Sequence, residues 1–181
     1  MPEPDLAWYD ELRAAYRPAR VRLLLIAESP PDPGAGARRF FYAPALTPDN
    51  LYRGVVAALY GHEPGFSPRS KKALLDRLRD DGVWLIDAVD EPIDKRSMSA
   101  RRRAIAAGVP RLVDRVRAVA PTTGVLICHG VVYELVAPAL RAEGIRVLHD
   151  EPLPFPLGNW RQQFVTGARD ALRRAGWWAG S

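Results

Sequence analysis

The residues best suited to chemistry are four polar side chains at the carboxyl ends of apolar runs: Glu28, Asp87, His129 and His149. A carboxylate can stabilise a developing positive charge or orient water, and an imidazole can hold or transfer a proton near neutral pH. In open α/β sheets the ligand crevice lies beyond the carboxyl ends of the strands. If the four runs are parallel strands of one sheet, the sequence predicts a polar site at that edge.

The positioning elements follow from the apolar pattern. The apolar run at 21–27 predicts a strand buried on both faces, and further strands are predicted at 83–87, 124–128 and 145–149. Between and around them the pattern predicts helices at 50–60, 70–80 and 129–141, a helix that begins at Pro110, a first helix capped by Asp5, and a last helix from Asn159 to Gly176 whose capping box Gln162 completes. This alternation predicts the α/β class, as a three-layer α/β/α sandwich around a mostly parallel four-stranded sheet. Residues 1–181 are expected to form a single domain.

Length and composition exclude several classes of protein. The 181 residues include one cysteine, Cys128, so an internal disulfide, a cysteine-based zinc site and a four-cysteine iron–sulfur cluster are not expected. The first 20 residues lack a secretory pattern, and no apolar run reaches the roughly 20 residues that span a bilayer. We expect a monomeric, cytoplasmic protein with no membrane partner, no metal and no diffusible cofactor.

The net charge of +5 is concentrated in one segment. Residues 69–119 hold 13 Lys and Arg against 8 Asp and Glu, whereas the rest of the chain balances at 13 against 13. The densest part, 95–103, carries five basic side chains. Such a cluster favours a phosphate backbone through counterion release, although a solvated helix start explains it equally.

Five segments, in chain order, resemble motifs of the uracil-DNA glycosylase superfamily: 25–31, 38–42, 50–53, 85–89 and 153–159. Glu28 and Pro30 are in register with the family's first motif, while Ala27 and Pro31 replace its two glycines. The resemblance covers most of the chain. It implies a uracil-DNA glycosylase-like fold and a monofunctional DNA glycosylase, which flips a damaged or modified base into a pocket and hydrolyses its N-glycosidic bond.

The resemblance also implies roles for the site residues. Glu28 would stabilise the oxocarbenium-like sugar or orient water. Either Phe40 or Phe41 would stack on the extruded base, with the other in the core. Asn50, at the start of its helix, and Asp87, at a strand end, would contact the base.

DNA contacts would come from two regions. The tip of 153–158 lies between two prolines and would act as a wedge, and Asn159 would offer a helix start to a phosphate. The basic cluster would contact the DNA backbone. The residues concerned are Phe155, Leu157, Asn159, Arg96, Arg101 and Arg102. Alternatively, Phe155 and Leu157 simply pack against the last helix.

The histidine of the family's second motif is replaced by Leu153 in this sequence. His149, four residues earlier, and His129, at a helix start, are the remaining candidates to stabilise the departing base. At either position a histidine is more often a structural hydrogen-bonding residue than a catalytic one. This departure from the family pattern makes simple uracil excision less secure than glycosylase chemistry in general.

Asp87 stands where the family usually has an asparagine that reads the base edge. An ionised Asp offers only acceptors, so it would face uracil O4 with a second oxygen, at a cost of about 1–3 kcal/mol. An exocyclic amine, such as N4 of a cytosine, would find an acceptor instead. We therefore hypothesise a substrate that carries an amino group, for example a modified cytosine, or a protonated Asp87. Alternatively, Asp87 braces the loop that follows it.

Two other functions compete with the glycosylase. A catalytically impaired relative would retain the fold and the pocket as a DNA-binding module. A nucleotide-binding α/β module is less favoured, because the sequence has no Gly-x-Gly-x-x-Gly or Gly-x-x-x-x-Gly-Lys-Ser/Thr motif. All the site assignments depend on one geometric expectation, that Glu28, a ring from Phe40 or Phe41, Asp87 and the tip near Phe155 surround one cavity.

Overall fold

The computed structural model describes residues 6–32, 39–46 and 49–179. Within them the elements follow in the order α1 (Leu6–Ala15), β1 (Leu23–Ala27), α2 (Asn50–Tyr60), α3 (Lys71–Asp80), β2 (Val83–Asp87), α4 (Met98–Val119), β3 (Gly124–Ile127), α5 (Gly130–Ala142) and α6 (Trp160–Arg174). The described part is thus an α/β protein with six helices. The predicted cap Asp5, and Arg38 of the segment 38–42, lie outside the described residues.

The described strands form one small, open, parallel sheet in the order β2-β1-β3. Because side chains alternate along a strand, Leu23 and Leu25 face one side while Leu24 and Ile26 face the other. The first pair packs in a cluster with residues of α2, α3 and α6. The second pair packs with residues of α4 and α5. Both faces are therefore covered, which explains the uninterrupted apolar runs.

The predicted fourth strand at 145–149 is not formed, and within the described residues the sheet has three strands. The segment makes one isolated bridge, in which Val125 donates to the Arg146 carbonyl at 2.8 Å and accepts from the Leu148 amide at 2.9 Å. At the next position of the ladder the acceptor is a side chain, because the Ile127 amide donates to Nε2 of His149 at 3.0 Å. The imidazole replaces the main-chain acceptor, and the ladder ends there.

The helix predicted to begin at Pro110 begins twelve residues earlier. Ser97 caps α4, with its Oγ accepting from the Ala100 amide at 3.3 Å, and Pro110 lies inside the helix. A proline removes one helical hydrogen bond, but Ile105, Leu112 and Val116 are all buried in the same cluster on either side of it. The basic segment 95–103 is therefore a loop that leads into the first turns of a long helix.

The capping box predicted for the last helix is absent. Asn159 has a helical backbone and makes no side-chain cap, and Gln162 bonds to Thr166 Oγ1 at 3.3 Å instead. The helix itself is confirmed as α6, from Trp160. None of the described helices combines the length and apolarity needed to cross a membrane.

Candidate active site

A cavity of about 390 Å³ opens beyond the carboxyl ends of the described strands. We call it the strand-end cavity. It brings together most of the side chains that the sequence singled out, namely Glu28, Phe40, Phe41, Asn50, Asp87, Arg101, His129, Phe155 and Leu157. The four groups of the geometric expectation thus line one cavity. Its volume is within the range typical of small-molecule sites.

The end of the sheet sets the relative positions of Glu28 and Asp87. Ala27 pairs with Asp87 in the register of β1 and β2, and the ladder continues past it, with Val89 donating to the Glu28 carbonyl at 3.0 Å. Because neighbouring side chains alternate, the two carboxylates reach different helices. Glu28 meets Arg101 of α4, and Asp87 meets Arg13 of α1.

Glu28 is a buried carboxylate with two cations beside it. Arg101 donates to its Oε2 from Nη2 at 2.6 Å and from Nε at 3.1 Å, and Lys95 Nζ lies 3.7 Å from Oε1. Glu28 is 6% exposed. A buried charge needs such partners. Here Oε2 accepts two hydrogen bonds from Arg101, whereas among the described residues Oε1 has only the more distant ammonium of Lys95, at 3.7 Å. Oε1 is therefore the oxygen better placed to act on a ligand.

His129 is the N-cap residue of α5 and lines the cavity. Its Nδ1 accepts from the Val131 amide at 3.3 Å, while Nε2 lies 3.9 Å from Glu28 Oε2 and 3.3 Å from Arg101 Nη2. Burial lowers the pKa of His129, with Glu28 opposing the shift and Arg101 adding to it. The ring is therefore neutral at neutral pH. With Nδ1 accepting, a neutral ring carries its proton on Nε2, which in this structure faces the Arg101 guanidinium, itself only a donor, at 3.3 Å.

Asp87 and Arg13 form a buried ion pair, with Arg13 Nη2 donating to Oδ2 at 2.6 Å. Burial raises the pKa of Asp87, and the Arg13 guanidinium opposes that rise. Arg13 is also bonded to the exposed Asp10 at 2.9 Å, and its own main-chain carbonyl accepts from Trp84 Nε1 at 3.1 Å. The guanidinium therefore fixes one oxygen of Asp87 at the cavity wall.

The aromatic residues of the cavity belong mostly to the core. Phe40 and Phe41 are both buried, and Phe40 packs edge-on against Tyr9 with ring centroids 4.7 Å apart. Both residues lie in the core and both contribute to the cavity wall, and stacking of either ring on a base stays a prediction. Phe155 is half-buried, and its ring centroid lies 5.6 Å from that of His129. It is the most accessible of the three rings.

The tip between the two prolines is held in place by close packing. A Cβ on Gly54 of α2 would lie 2.7 Å from Cβ of Pro156, and one on Gly167 of α6 would lie 2.6 Å from Cδ2 of Leu153. At Gly54 the contact is with the rigid proline ring, so a larger residue there would displace the tip. The tip thus seats on α2 and α6, with Phe155 facing the cavity and Leu157 exposed at its mouth.

Four predicted site residues lie elsewhere: His149, Asn159, Arg96 and Arg102. His149 is buried, with Nε2 accepting from Ile127 and Nδ1 beside the Glu151 carbonyl at 2.7 Å, so its hydrogen bonds hold the chain rather than face the cavity. Asn159 is exposed. Arg96 is 92% exposed beside Asp94, and Arg102 pairs with Glu134 at 2.6 Å. Of the basic cluster, Arg101 and Lys95 reach the cavity.

Two residues that line the cavity, Asp49 and Ser29, were not predicted as site residues from the sequence. Asp49 lines the cavity, caps α2 by accepting from Tyr52 at 3.0 Å, and pairs with the buried Lys71 at 3.4 Å. An aspartate before a helical run is a recognisable cap signal. Ser29 also lines the cavity, and its buried Oγ has no hydrogen-bond partner among the described residues. No sequence signal points to it beyond its place after Glu28.

Asn50 is less free than its position suggested. Arg161 of α6 donates to its Oδ1 at 2.8 Å, so the amide nitrogen is the group left to face the cavity.

The described residues contain no cluster of three or more His, Cys, Asp or Glu that could hold a metal ion. No protein-family model and no curated protein matches the chain.

Proposed function

We propose that this protein is a DNA glycosylase that receives a flipped base in the strand-end cavity and hydrolyses its N-glycosidic bond. The observation that carries the proposal is the shared cavity, which joins a buried carboxylate, a neutral imidazole and aromatic walls. These groups come from segments as far apart as 28 and 155, and the fold brings them to one cavity. Their resemblance to the uracil-DNA glycosylase superfamily supports the same function.

Each side chain has a distinct task in this reaction. As the glycosidic bond lengthens, the sugar gains oxocarbenium character, and Glu28 Oε1 stabilises it or orients the attacking water. The base leaves as an anion, and once a phosphate draws Arg101 away from Nε2, the Nε2 proton of the neutral His129 donates a hydrogen bond to the departing base. A neutral donor suits this role because its proton is retained until charge develops.

The cavity walls and rim offset the cost of extrusion. Unstacking a nucleotide costs a few kcal/mol. Stacking on an aromatic face returns about 1–3 kcal/mol, and Phe155 is the accessible ring for it. Leu157 is 56% exposed at the mouth, where an apolar side chain can fill the space that the base leaves. Lys95 and Arg101 supply positive charge beside the site for the flanking phosphates.

A catalytically impaired DNA-binding module is the second candidate, and the ion pairs of Glu28 favour it. With Arg101 at 2.6 Å and Lys95 at 3.7 Å, the negative charge of Glu28 is largely compensated. A compensated carboxylate stabilises an oxocarbenium ion less well. In the glycosylase, the flanking phosphates must draw these cations away when DNA binds.

The test is a panel of duplex and single-stranded oligonucleotides, each with one altered base, scored for strand breakage after alkali. We expect the wild-type protein to convert at least one of them to an alkali-labile abasic product. Salt-dependent binding with no product across the panel would favour the binding module. Binding that does not respond to salt would contradict both candidates.

Replacing Asp87 by asparagine is expected to shift base preference from amino-bearing pyrimidines towards uracil. The amide can donate to O4, whereas the carboxylate can only accept, and a difference of about 1–3 kcal/mol corresponds to about 5-fold to 150-fold in relative rate. The measurement is the ratio of excision rates on duplexes containing uracil and cytosine derivatives. An unchanged ratio would show that Asp87 does not read the base. Asp10→Asn, which alters the exposed partner of the same Arg13, is the control.

A further inference from the structure

Among the described residues that line the strand-end cavity, Lys95 alone carries a primary amine on its side chain. The chain has 26 basic residues, of which only three are lysines: Lys71, Lys72 and Lys95. Lys71 is buried against Asp49 and does not line the cavity, and Lys72 is 75% exposed beside Asp76. Lys95 is 45% exposed, and its Nζ lies 3.7 Å from Glu28 Oε1.

The residue type matters because arginine would serve equally well as a cation. A guanidinium can neutralise Glu28 and contact phosphate, as Arg101 already does, but it does not act as a nucleophile. A lysine amine attacks carbonyl carbons and forms Schiff bases. In a chain that uses arginine for nearly every positive charge, the amine stands beside the carboxylate proposed to act at the anomeric carbon.

We propose that Lys95 is the nucleophile of a second activity, a lyase that cleaves the DNA strand at the abasic sugar. This inference rests on the proposed function, since it places the sugar next to Glu28. The substrate is an abasic site in its ring-opened form, with an aldehyde at C1′. The enzyme would then excise the base and break the strand in one cavity.

The reaction balances without an oxidant or a metal. The Lys95 ammonium loses a proton to Glu28, and the free amine adds to C1′ to give a carbinolamine. Glu28 returns the proton to the departing hydroxyl, water leaves, and a protonated imine forms. Glu28 then removes a proton from C2′, the electron pair forms the C2′–C3′ double bond, and the C3′–O bond breaks with the 3′-phosphate as the leaving group. Water hydrolyses the imine and restores the amine.

The test uses a synthetic duplex with one preformed abasic site, so that it does not depend on base excision. With sodium borohydride present, hydride reduces the imine to a stable amine, and we expect a covalent protein–DNA adduct that peptide mass spectrometry locates at Lys95. Lys95→Arg keeps the charge and should lower both the adduct and strand cleavage by at least about tenfold. Lys72→Arg should leave both within about twofold of wild type.

The outcomes separate this inference from the proposed function. No wild-type adduct above the level of Lys95→Arg, or an adduct at another amine, would overturn the lyase, even if the base panel shows excision. An adduct at Lys95 with a silent base panel would support the lyase and contradict the glycosylase. Matching unfolding curves for Lys95→Arg and wild type ensure that any loss is chemical.

Discussion

Replacing Arg13 by methionine is expected to lower the free energy of unfolding by about 3–5 kcal/mol at neutral pH. Arg13 donates to Asp87 at 2.6 Å, and both residues are buried. Methionine keeps much of the apolar stem but leaves the carboxylate with no cation at that distance. Removing one partner of a buried pair costs more than the pair itself contributes, because the remaining charge stays desolvated. Urea unfolding of both proteins measures the difference.

The defect of Arg13→Met should also depend on pH. Burial raises the pKa of Asp87 above its ordinary value of 3.8, and without Arg13 the rise is larger. The unfolded state then releases its proton at lower pH than the folded state does. The stability that protonated Asp87 contributes is therefore complete below its pKa in the unfolded state, and it is lost as the pH rises through its pKa in the folded state. We therefore expect a smaller defect at pH 5 than at pH 7.5.

The matched control is Asp10→Ala, which removes the other carboxylate on Arg13. The Asp10 side chain is 74% exposed, so this change should cost only about 0–1 kcal/mol. Equal effects of the two substitutions would contradict the view that burial of Asp87 sets the energy. Restoration of stability by adding Asp87→Asn to Arg13→Met would support it.

The strand ends were predictable because a small sheet covered on both faces needs uninterrupted apolar runs. The bounds of β2 and α2 agree with the prediction residue for residue, at 83–87 and 50–60. The carboxyl ends of parallel strands lie at the same edge of a sheet, so Glu28, Asp87 and His129 could be placed together from the sequence. The same logic failed for His149, because its run forms one bridge and its ring takes the place of the next rung.

The partners of the site residues could not be predicted. Arg101 and Glu28 are 73 residues apart, and Arg13 and Asp87 are 74 apart, with no local pattern that links them. Arg101 was interpreted as a phosphate contact from the charge of its segment, and its ion pair with Glu28, which the long α4 makes possible, had no sequence signal. Because a proline is usual at a helix start and unusual inside a helix, the helix was predicted to begin at Pro110. That prediction left Arg101 outside the helix that positions it.

Replacing Glu28 by glutamine is expected to slow base excision by about a hundredfold to ten-thousandfold. The amide has nearly the same shape and still offers an oxygen to Arg101, so the fold and the cavity should be kept. It carries no negative charge for the sugar and does not accept a proton from water. The measurement is the single-turnover excision rate on the best substrate of the base panel, with DNA affinity determined in parallel.

The control for Glu28→Gln is Glu134→Gln. Glu134 pairs with Arg102 at 2.6 Å, the same distance as Glu28 with Arg101, but on the exposed surface away from the cavity. Its loss should leave the rate unchanged. Glu28→Gln removes a negative charge beside the phosphates, so it should bind DNA at least as tightly as wild type. A variant that loses affinity in proportion to rate would make Glu28 a positioning residue for Arg101, and one that excises at the wild-type rate would remove Glu28 from the mechanism.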